Sequence, residues 1–261
     1  MERYLPGNKK RKTTDKESTR YFNQKTGLWE IDIEKELKKI SDMGYIQTMR
    51  KGDTGVGYTL ETLLGLRETN KRGKQDFSYQ GVPTELKSQR SSTTSMMTLF
   101  TLEPNKGMYK DRNMIEKYGY IDSKGRQGLK VTLTTNKYVP QGLILKIDDE
   151  NERIIISDEG GREPWFWSFQ DVEIKISRLV IVFADKIGSG INEKFHYNEA
   201  YLLYKLQSDK LFNLFEDRIF VVDLRMHLRK NNTVRNHGTA FRIKKLRENL
   251  FPCYQEVQRL V

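Results

Sequence analysis

The chain has 261 residues, of which 36% are hydrophobic and 31% are charged, and its formal net charge is +11. That length allows one large domain or two lobes sharing a core. No apolar stretch approaches the roughly 20 residues that cross a bilayer, and the polar N-terminal segment is not typical of a secretory signal. The lone Cys253 excludes an internal disulfide. We therefore expect a cytoplasmic protein without membrane association.

Basic residues are concentrated in two segments. Residues 1–29 contain eight Lys/Arg against three Asp/Glu, and residues 225–247 contain eight Lys/Arg, two of the three histidines and no acid. Such clustering indicates a polyanionic partner, for which nucleic acid is the usual case. Residues 1–25 are predicted to form a flexible basic arm and residues 26–261 the folded part. The arm is either a non-specific phosphate contact or a solvated tail.

The first part of the chain predicts helices followed by strands. Ile33, Leu37 and Ile40 recur at helical spacing, and Gly44 indicates the end of that helix. Further elements are predicted as a helix over 54–66, a strand pair over 76–79 and 82–88 joined by a turn at Gln80-Gly81, and a strand over 95–102.

The remainder predicts a mixture of strands and helices. Helices are expected over 108–118, 209–215 with Ser208 as cap, and 244–250; strands are expected over 129–135, 143–147, 153–157, 178–184 and 219–226. Residues 197–206 fit either state. The aromatic run 164–169 is either a DNA wedge or a packed lobe interface, and we favour packing. This pattern predicts an α/β fold around a central mixed sheet.

The candidate catalytic residues are an acid followed by a Glu-x-Lys motif. Asp76 begins the first strand of the predicted pair, and Glu85 and Lys87 lie two residues apart on the second. Alternate side chains on a strand share a face, so these three groups can meet. Two carboxylates suit a hard cation such as Mg²⁺, and a neighbouring lysine can stabilise charge on a phosphate. An ordinary amphipathic strand with surface charges is the alternative interpretation.

A glycine-rich segment precedes this motif. Glu61 lies on the helix predicted over 54–66, beside an apolar stripe formed by Val56, Leu60 and Leu64. Its carboxylate can project toward the strand pair. The glycines before it do not follow the G-x(4)-G-K-[ST] pattern, which disfavours a nucleotide-binding loop.

Together these motifs resemble a known nuclease group. Lys-Gly-x-x-Gly-x(5)-Glu-x-x-Leu-Gly over residues 51–65, followed by Asp-Phe-x(3)-Gly-Val-x-x-Glu-Leu-Lys-Ser over 76–88, is similar to the MutH-like PD-(D/E)XK nucleases. Within that group the chain is more similar to the MvaI/BcnI restriction endonuclease family than to MutH. Two departures are visible: Gln75 replaces a proline that often precedes the Asp, and Pro83-Thr84 lengthen the gap before the Glu.

The resemblance implies a PD-(D/E)XK fold: a central mixed sheet with flanking helices, in two lobes that form a DNA cleft. The catalytic lobe would span about residues 30–130 plus parts of the C-terminal half, and the recognition lobe about 135–250. The implied catalytic residues are Glu61, Asp76, Glu85 and Lys87. Asp76, Glu85 and Glu61 would bind Mg²⁺. Alternatively, Glu61 would not contact the ion and would act through the residues that bind it.

A late polar segment is suited to reading bases. Residues 225–242 predict a strand that ends in a hairpin-like loop rich in Arg, Asn and His, which pair with base edges. The residues expected to bind DNA are Lys51, Arg225, His227, Arg229, Arg235, Asn236, His237 and Arg242. Contact with phosphates alone is the alternative. A metal site is disfavoured because the histidines have no acidic or cysteine neighbours in this segment.

The sequence as a whole thus predicts a type II restriction endonuclease. By resemblance it would bind double-stranded DNA as a monomer and cut a short, GC-rich site with Mg²⁺. A cognate DNA methyltransferase is implied in the host, without a stable complex. Two alternatives stay open: a MutH-type mismatch-repair nicking endonuclease, and a DNA-binding relative that does not cut.

Overall fold

The computed structural model describes residues 20–66 and 75–261. Residues 1–19 of the predicted arm and residues 67–74 lie outside these ranges. No helix in the described part is long and apolar enough to cross a membrane. The helices are α1 (Ile33–Asp42), α2 (Gly55–Leu63), α3 (Asp111–Tyr118), α4 (Phe169–Ile176), α5 (Ser208–Glu216) and α6 (Leu246–Leu250).

Strands make up most of the remaining regular structure. They are β1 (Arg20–Asn23), β2 (Leu28–Ile31), β3 (Ile46–Gln47), β4 (Phe77–Tyr79), β5 (Val82–Arg90), β6 (Met97–Thr101), β7 (Asn105–Lys106), β8 (Tyr120–Ile121), β9 (Gln127–Leu133), β10 (Leu143–Asp148), β11 (Arg153–Asp158), β12 (Trp165–Ser168), β13 (Arg178–Ile187), β14 (Lys194–Leu206), β15 (Phe220–Leu228), β16 (Val234–Asn236), β17 (Ala240–Ile243) and β18 (Tyr254–Arg259).

Within the described residues, the strands form three sheets. The largest has eight strands in the order β1-β2-β4-β5-β13-β14-β18, with β3 beside β14. It is mixed, because β2 pairs with β4 and β5 with β13 in parallel while the other pairs are antiparallel. A four-stranded sheet has the order β10-β11-β12-β7, and a six-stranded sheet has β6-β17-β15-β9-β8 with β16 beside β15. The predicted central mixed sheet is confirmed.

Both faces of the central strand β13 are buried. Val180 and Val182 belong to the apolar cluster that contains helices α1 and α2. Leu179, Ile181 and Phe183 belong to the cluster that includes the other two sheets. Alternation along the strand thus sends successive side chains into two cores. The eight-stranded sheet therefore lies between helices α1 and α2 on one face and the cluster of the other two sheets on the opposite face.

Local signals predicted most elements, with one helix cap wrong. Asp32 caps α1 by accepting a hydrogen bond from the Lys35 backbone N–H at 3.2 Å, and Gly44 ends that segment at a φ of +67°. The cap predicted at Ser208 is wrong, because Ser208 is already helical and Gln207 precedes the helix. Residues 197–206, which fitted either state, lie in strand β14, where pairing on both sides decides the conformation.

The aromatic run is packed, as we favoured. Trp165 and Trp167 are almost fully buried on β12. Their indole N–H groups donate to the carbonyls of Tyr109 and Leu102, at 2.7 and 3.2 Å. Trp167 also packs edge-on against Phe241 of the six-stranded sheet. The tryptophans therefore join the two smaller sheets, which leaves them unavailable as a DNA wedge.

The three sheets take their strands from alternating stretches of the chain. Residues 97–133 contribute β6, β8 and β9 to the six-stranded sheet and β7 to the four-stranded sheet. Residues 178–206 contain β13 and β14 of the eight-stranded sheet. This arrangement arises because the chain leaves the large sheet after β5 and re-enters it at β13. Residues 20–25, assigned to the flexible arm, include strand β1.

We expect Ile181→Ala to lower the free energy of unfolding by about 2–5 kcal/mol, because its fully buried side chain fills the core beside β5. Ile187→Ala on the same strand is the control. Ile187 is 45% exposed, so its loss should stay within about 0.5 kcal/mol. Urea denaturation followed by circular dichroism gives both values. Equal losses in the two variants would contradict the assignment of β13 as the central strand.

Candidate active site

The β4–β5 hairpin builds the site. Tyr79 pairs with Val82 across a two-residue turn. Gln80 and Gly81 both have positive φ, at 56° and 75°, as the tight turns that match strand twist require. Glu30 on the neighbouring strand β2 accepts a hydrogen bond from the Gly81 N–H at 2.9 Å. The turn is therefore held by the adjacent strand as well as by its own conformation.

Asp76 sits directly opposite Glu85. Phe77 pairs with Thr84, and one step further along that register places Asp76 across from Glu85. Oδ2 of Asp76 accepts a hydrogen bond from the Leu86 backbone N–H at 2.7 Å. This bond fixes the carboxylate against the second strand, so the predicted meeting of Asp76 and Glu85 is present in the structure.

The longer gap before Glu85 is accommodated within the hairpin. Pro83 pairs with Ser78, whereas pairing between β5 and β13 starts only at Glu85. Because Pro83 lies outside the β13 pairing, its missing N–H removes no hydrogen bond on that side. The two extra residues lengthen the hairpin and leave the Glu-x-Lys strand regular.

Glu85 and Lys87 form a close ion pair. Lys87 Nζ lies 2.6 Å from Glu85 Oε1, and the two side chains are only 22% and 15% exposed. Burial raises the pKa of the Glu85 carboxyl, as does the nearby charge of Asp76, and these effects outweigh the opposing influence of Lys87. Burial alone would lower the pKa of Lys87, but Glu85, Asp76 and Glu61 together raise it. Lys87 is therefore a stable cation among carboxylates.

Glu61 approaches the pair from helix α2. Leu60 and Leu64 are buried against the sheet, and Glu61 lies beside them, close enough to influence Lys87. Gly55, the first residue of α2, lies close to the preceding loop, since a Cβ there would come within 2.9 Å of Thr48 Oγ1. The structure thus brings all four predicted catalytic residues into one region.

A divalent cation fits two of these carboxylates better than three. Within residues 20–66 and 75–261, no group of three or more His, Cys, Asp or Glu side chains is placed to hold a metal ion. Asp76 and Glu85 are near enough for their negative charges to interact, which a cation between them would relieve. Magnesium commonly takes one or two carboxylates and completes its shell with water and substrate phosphate. The donor set is consistent with that pattern.

A cleft of about 550 Å³ opens beside the site. One wall consists of α2 and β5, including Tyr58, Glu61, Lys87 and Arg90. The facing wall comes from β6 and β17 of the six-stranded sheet, including Arg242. The cleft therefore lies between the large sheet and the six-stranded sheet, with Lys87 on its surface.

The residues expected to bind DNA fall into two groups. Lys51, Arg229, Arg235 and His237 are exposed. The other residues are more enclosed: His227 is 8% exposed and Arg225 is half-buried. Two of them already form hydrogen bonds, since Asn236 Nδ2 donates to Asp111 Oδ2 at 3.0 Å and Arg242 Nη1 donates to Asp223 Oδ2 at 2.8 Å. The exposed group is the better placed to reach a ligand.

The two histidines of this segment stack on each other. The rings of His227 and His237 are 5.7 Å apart and nearly parallel. Burial lowers the pKa of both imidazoles, and nearby Arg126 and Arg235 contribute to the effect on His227 and His237 respectively. Both rings are therefore neutral near pH 7, with one ring nitrogen each that can accept a hydrogen bond.

Several cleft residues had no sequence signal. Arg50 lies over the Tyr58 ring at 3.6 Å and lines the cleft. Arg90 contacts the Gly52 carbonyl and Glu193 Oε2, each at 3.0 Å. These arginines belong to no spacing pattern, because their partners lie on other elements.

Comparison with known proteins agrees with this architecture. A family model described as the MvaI/BcnI restriction endonuclease family matches residues 34–251. A solved structure titled as a restriction endonuclease MvaI–cognate DNA substrate complex has a TM-score of 0.71 and 26% identity, covering 88% of this chain and 97% of that one. MvaI in the absence of DNA has a TM-score of 0.50 and 24% identity, covering 87% and 96%.

No curated protein matched the sequence. The family match and the structural match together confirm the predicted mixed α/β fold of the PD-(D/E)XK type and the predicted family resemblance.

We expect Lys87→Met to move the titration midpoint of Glu85 to higher pH. The ammonium of Lys87 stabilises the charged carboxylate, while burial and Asp76 oppose it. Removing that ammonium takes away the largest effect that favours the charged form. Carbon-detected NMR of the Glu85 side chain measures the midpoint, with Lys205→Met, on a distant exposed lysine, as control. An unchanged or lower midpoint would show that Lys87 does not govern this carboxyl.

Proposed function

The chain belongs to the MvaI/BcnI restriction endonuclease family, and we propose that it is a type II restriction endonuclease that hydrolyses phosphodiester bonds of duplex DNA. The observation that carries the proposal is the Asp76, Glu85 and Lys87 group beside a cleft formed by two sheets. The target would be a short, GC-rich, near-palindromic site, cut by a monomer that nicks each strand in turn. The net charge of +11 suits a polyanionic substrate.

Asp76 and Glu85 would hold Mg²⁺ in this proposal. When bound, the cation would withdraw electron density from the scissile phosphate and stabilise the charge that accumulates during hydrolysis. For Glu61 we favour the alternative role, in which it does not bind the ion itself. Because its charge acts on Lys87, it would stabilise the ammonium and thereby position the metal-binding carboxylates indirectly.

Lys87 has the most direct part among the side chains. Its raised pKa keeps the ammonium protonated, so it acts as a donor and not as a base. Nζ can hydrogen-bond a non-bridging phosphate oxygen or the attacking water, which orients the reactants and stabilises the negative charge of the transition state. The water oxygen then forms a bond to phosphorus as the bond between phosphorus and the leaving backbone oxygen breaks, and the proton that the water loses is balanced by the proton that the leaving oxygen gains. Burial of the pair excludes competing solvent.

Recognition would come from the hairpin loop after β15. Arg229 to Thr233 form its turn, closed by a hydrogen bond from the Arg229 N–H to the Thr233 carbonyl at 2.9 Å. Arg235 and His237 are exposed beyond it. We assign Arg235 to a guanine and His237 to a neighbouring base edge, where a neutral imidazole can accept or donate one hydrogen bond.

A plasmid digest with Mg²⁺ tests the proposed activity. A type II restriction endonuclease yields discrete double-strand fragments. Nicks confined to hemimethylated sites would instead indicate a mismatch-repair nicking enzyme. Binding without any cleavage would indicate a non-catalytic relative. Sequencing the fragment ends then gives the recognised bases and the cut position.

We expect Asp76→Ala, Glu85→Ala and Lys87→Ala each to reduce cleavage by at least about a thousandfold, because each removes a metal ligand or a charge-stabilising donor. Binding of duplex DNA in Ca²⁺ should persist. Glu150→Ala, on an exposed turn, is the control for loss of an acid. Single-turnover rates and binding isotherms give both quantities. Undiminished cleavage in any of the three variants would remove that residue from the active site.

Base reading by the loop gives a separate prediction. Arg235→Ala and His237→Ala should each lower discrimination by about 1–3 kcal/mol at one base position. Affinities are measured for the cut sequence and every single-base variant of it. The exposed Lys205, changed to Ala, is the control for charge alone. Equal weakening across the panel would show that the loop contacts phosphates and does not read bases.

A further inference from the structure

A second cavity lies between helix α4 and the loop after β16. Its volume is about 500 Å³. The residues that line it come from three separate parts of the chain: Thr101 to Glu103 after β6, Lys175 near the end of α4, and Arg235 to Gly238. Residues proposed to read bases thus share this cavity with a lysine that no sequence motif identified.

Lys175 also lies near the active site. Its positive charge lowers the pKa of Glu85, opposing part of the effect of burial. A direct link holds the helix there: Gln75 Nε2 donates to the Ile174 carbonyl at 3.1 Å. Gln75 immediately precedes Asp76 and occupies the position where the resemblance expects proline. The end of α4 is therefore attached to the start of the catalytic hairpin.

The side chains that line the cavity carry more positive than negative charge, which favours binding of an anion. Lys175 and Arg235 are cationic and His237 is a neutral donor or acceptor, against one acid, Glu103. Within residues 20–66 and 75–261, the Lys175 ammonium makes no hydrogen bond or ion pair that would occupy it, unlike Arg242 or Lys87. A half-buried cation facing a polar cavity is available for a ligand.

We infer that Lys175 binds a DNA backbone phosphate lying between the phosphate that is cut and the bases contacted by Arg235 and His237. This inference rests on the proposed function, since it takes duplex DNA as the ligand. Lys175 lies between the two sites and provides a positive charge where the backbone must pass from one to the other. Binding there would keep the cut phosphate in register with the recognised bases.

The test compares Lys175→Gln and Lys175→Arg with wild type in the full-length protein. The probe is a duplex carrying the sequence that wild type cuts, with Ca²⁺, over a series of salt concentrations. For Lys175→Gln we expect about tenfold weaker binding, the loss of one charged hydrogen bond. The slope of log K against log salt should fall by about 0.9, as for one phosphate contact. Lys175→Arg should retain the slope.

Lys146→Gln, on the exposed face of β10, controls for the change in net charge and should leave the slope unchanged. An unaltered slope in Lys175→Gln would overturn the inference, as would an equal fall in Lys146→Gln. If wild type binds duplex but cuts none, the proposed function fails, and a random-sequence duplex still tests Lys175 through the slope. If wild type binds no duplex at all, both are overturned.

Discussion

A lysine ammonium held between carboxylates is the constraint on which the site depends. Lys87 and Glu85 are both largely buried and only 2.6 Å apart, with Asp76 fixed nearby by the Leu86 N–H. Charges taken out of water persist only when each has a partner, and loss of one partner strands the other. The hairpin, helix α2 and helix α4 all contribute to keeping these charges together. Reactivity and local stability therefore rest on the same few groups.

A second charged residue, Arg90, connects the loop before α2 to the strand that carries Glu85 and Lys87. Arg90, at the end of β5, contacts the Gly52 carbonyl and Glu193, and Lys186 reaches the same glutamate. These bonds connect the entry to α2, which carries Glu61, with the strand that carries Lys87. A helix and a strand distant in sequence are thereby set at one spacing, which is what a site needing close alignment requires.

Local patterns in the sequence predicted how the proposed catalytic side chains lie relative to one another, whereas contacts between distant segments gave no signal in the sequence. Strand alternation and turn residues placed Asp76, Glu85 and Lys87 together, because those groups lie on one hairpin. The parallel pairing of Glu85 with Leu179, the commitment of Asn236 to Asp111 and the approach of Lys175 have no periodic signature. They arise from packing between distant segments, where composition alone offers many equivalent partners.

The re-entry of the chain at β13 has a consequence for biosynthesis. β5 carries Glu85 and Lys87, yet its parallel neighbour begins only at Arg178, after β6 to β12 and helices α3 and α4 have been made. Contacts between segments so far apart are slow to form, since a long loop must close first. When synthesis has proceeded only as far as β5, the strand β13 that pairs with one edge of β5 has not yet been made. The proposed catalytic centre assembles only after most of the protein has been synthesised, so incomplete chains carry its residues without its geometry.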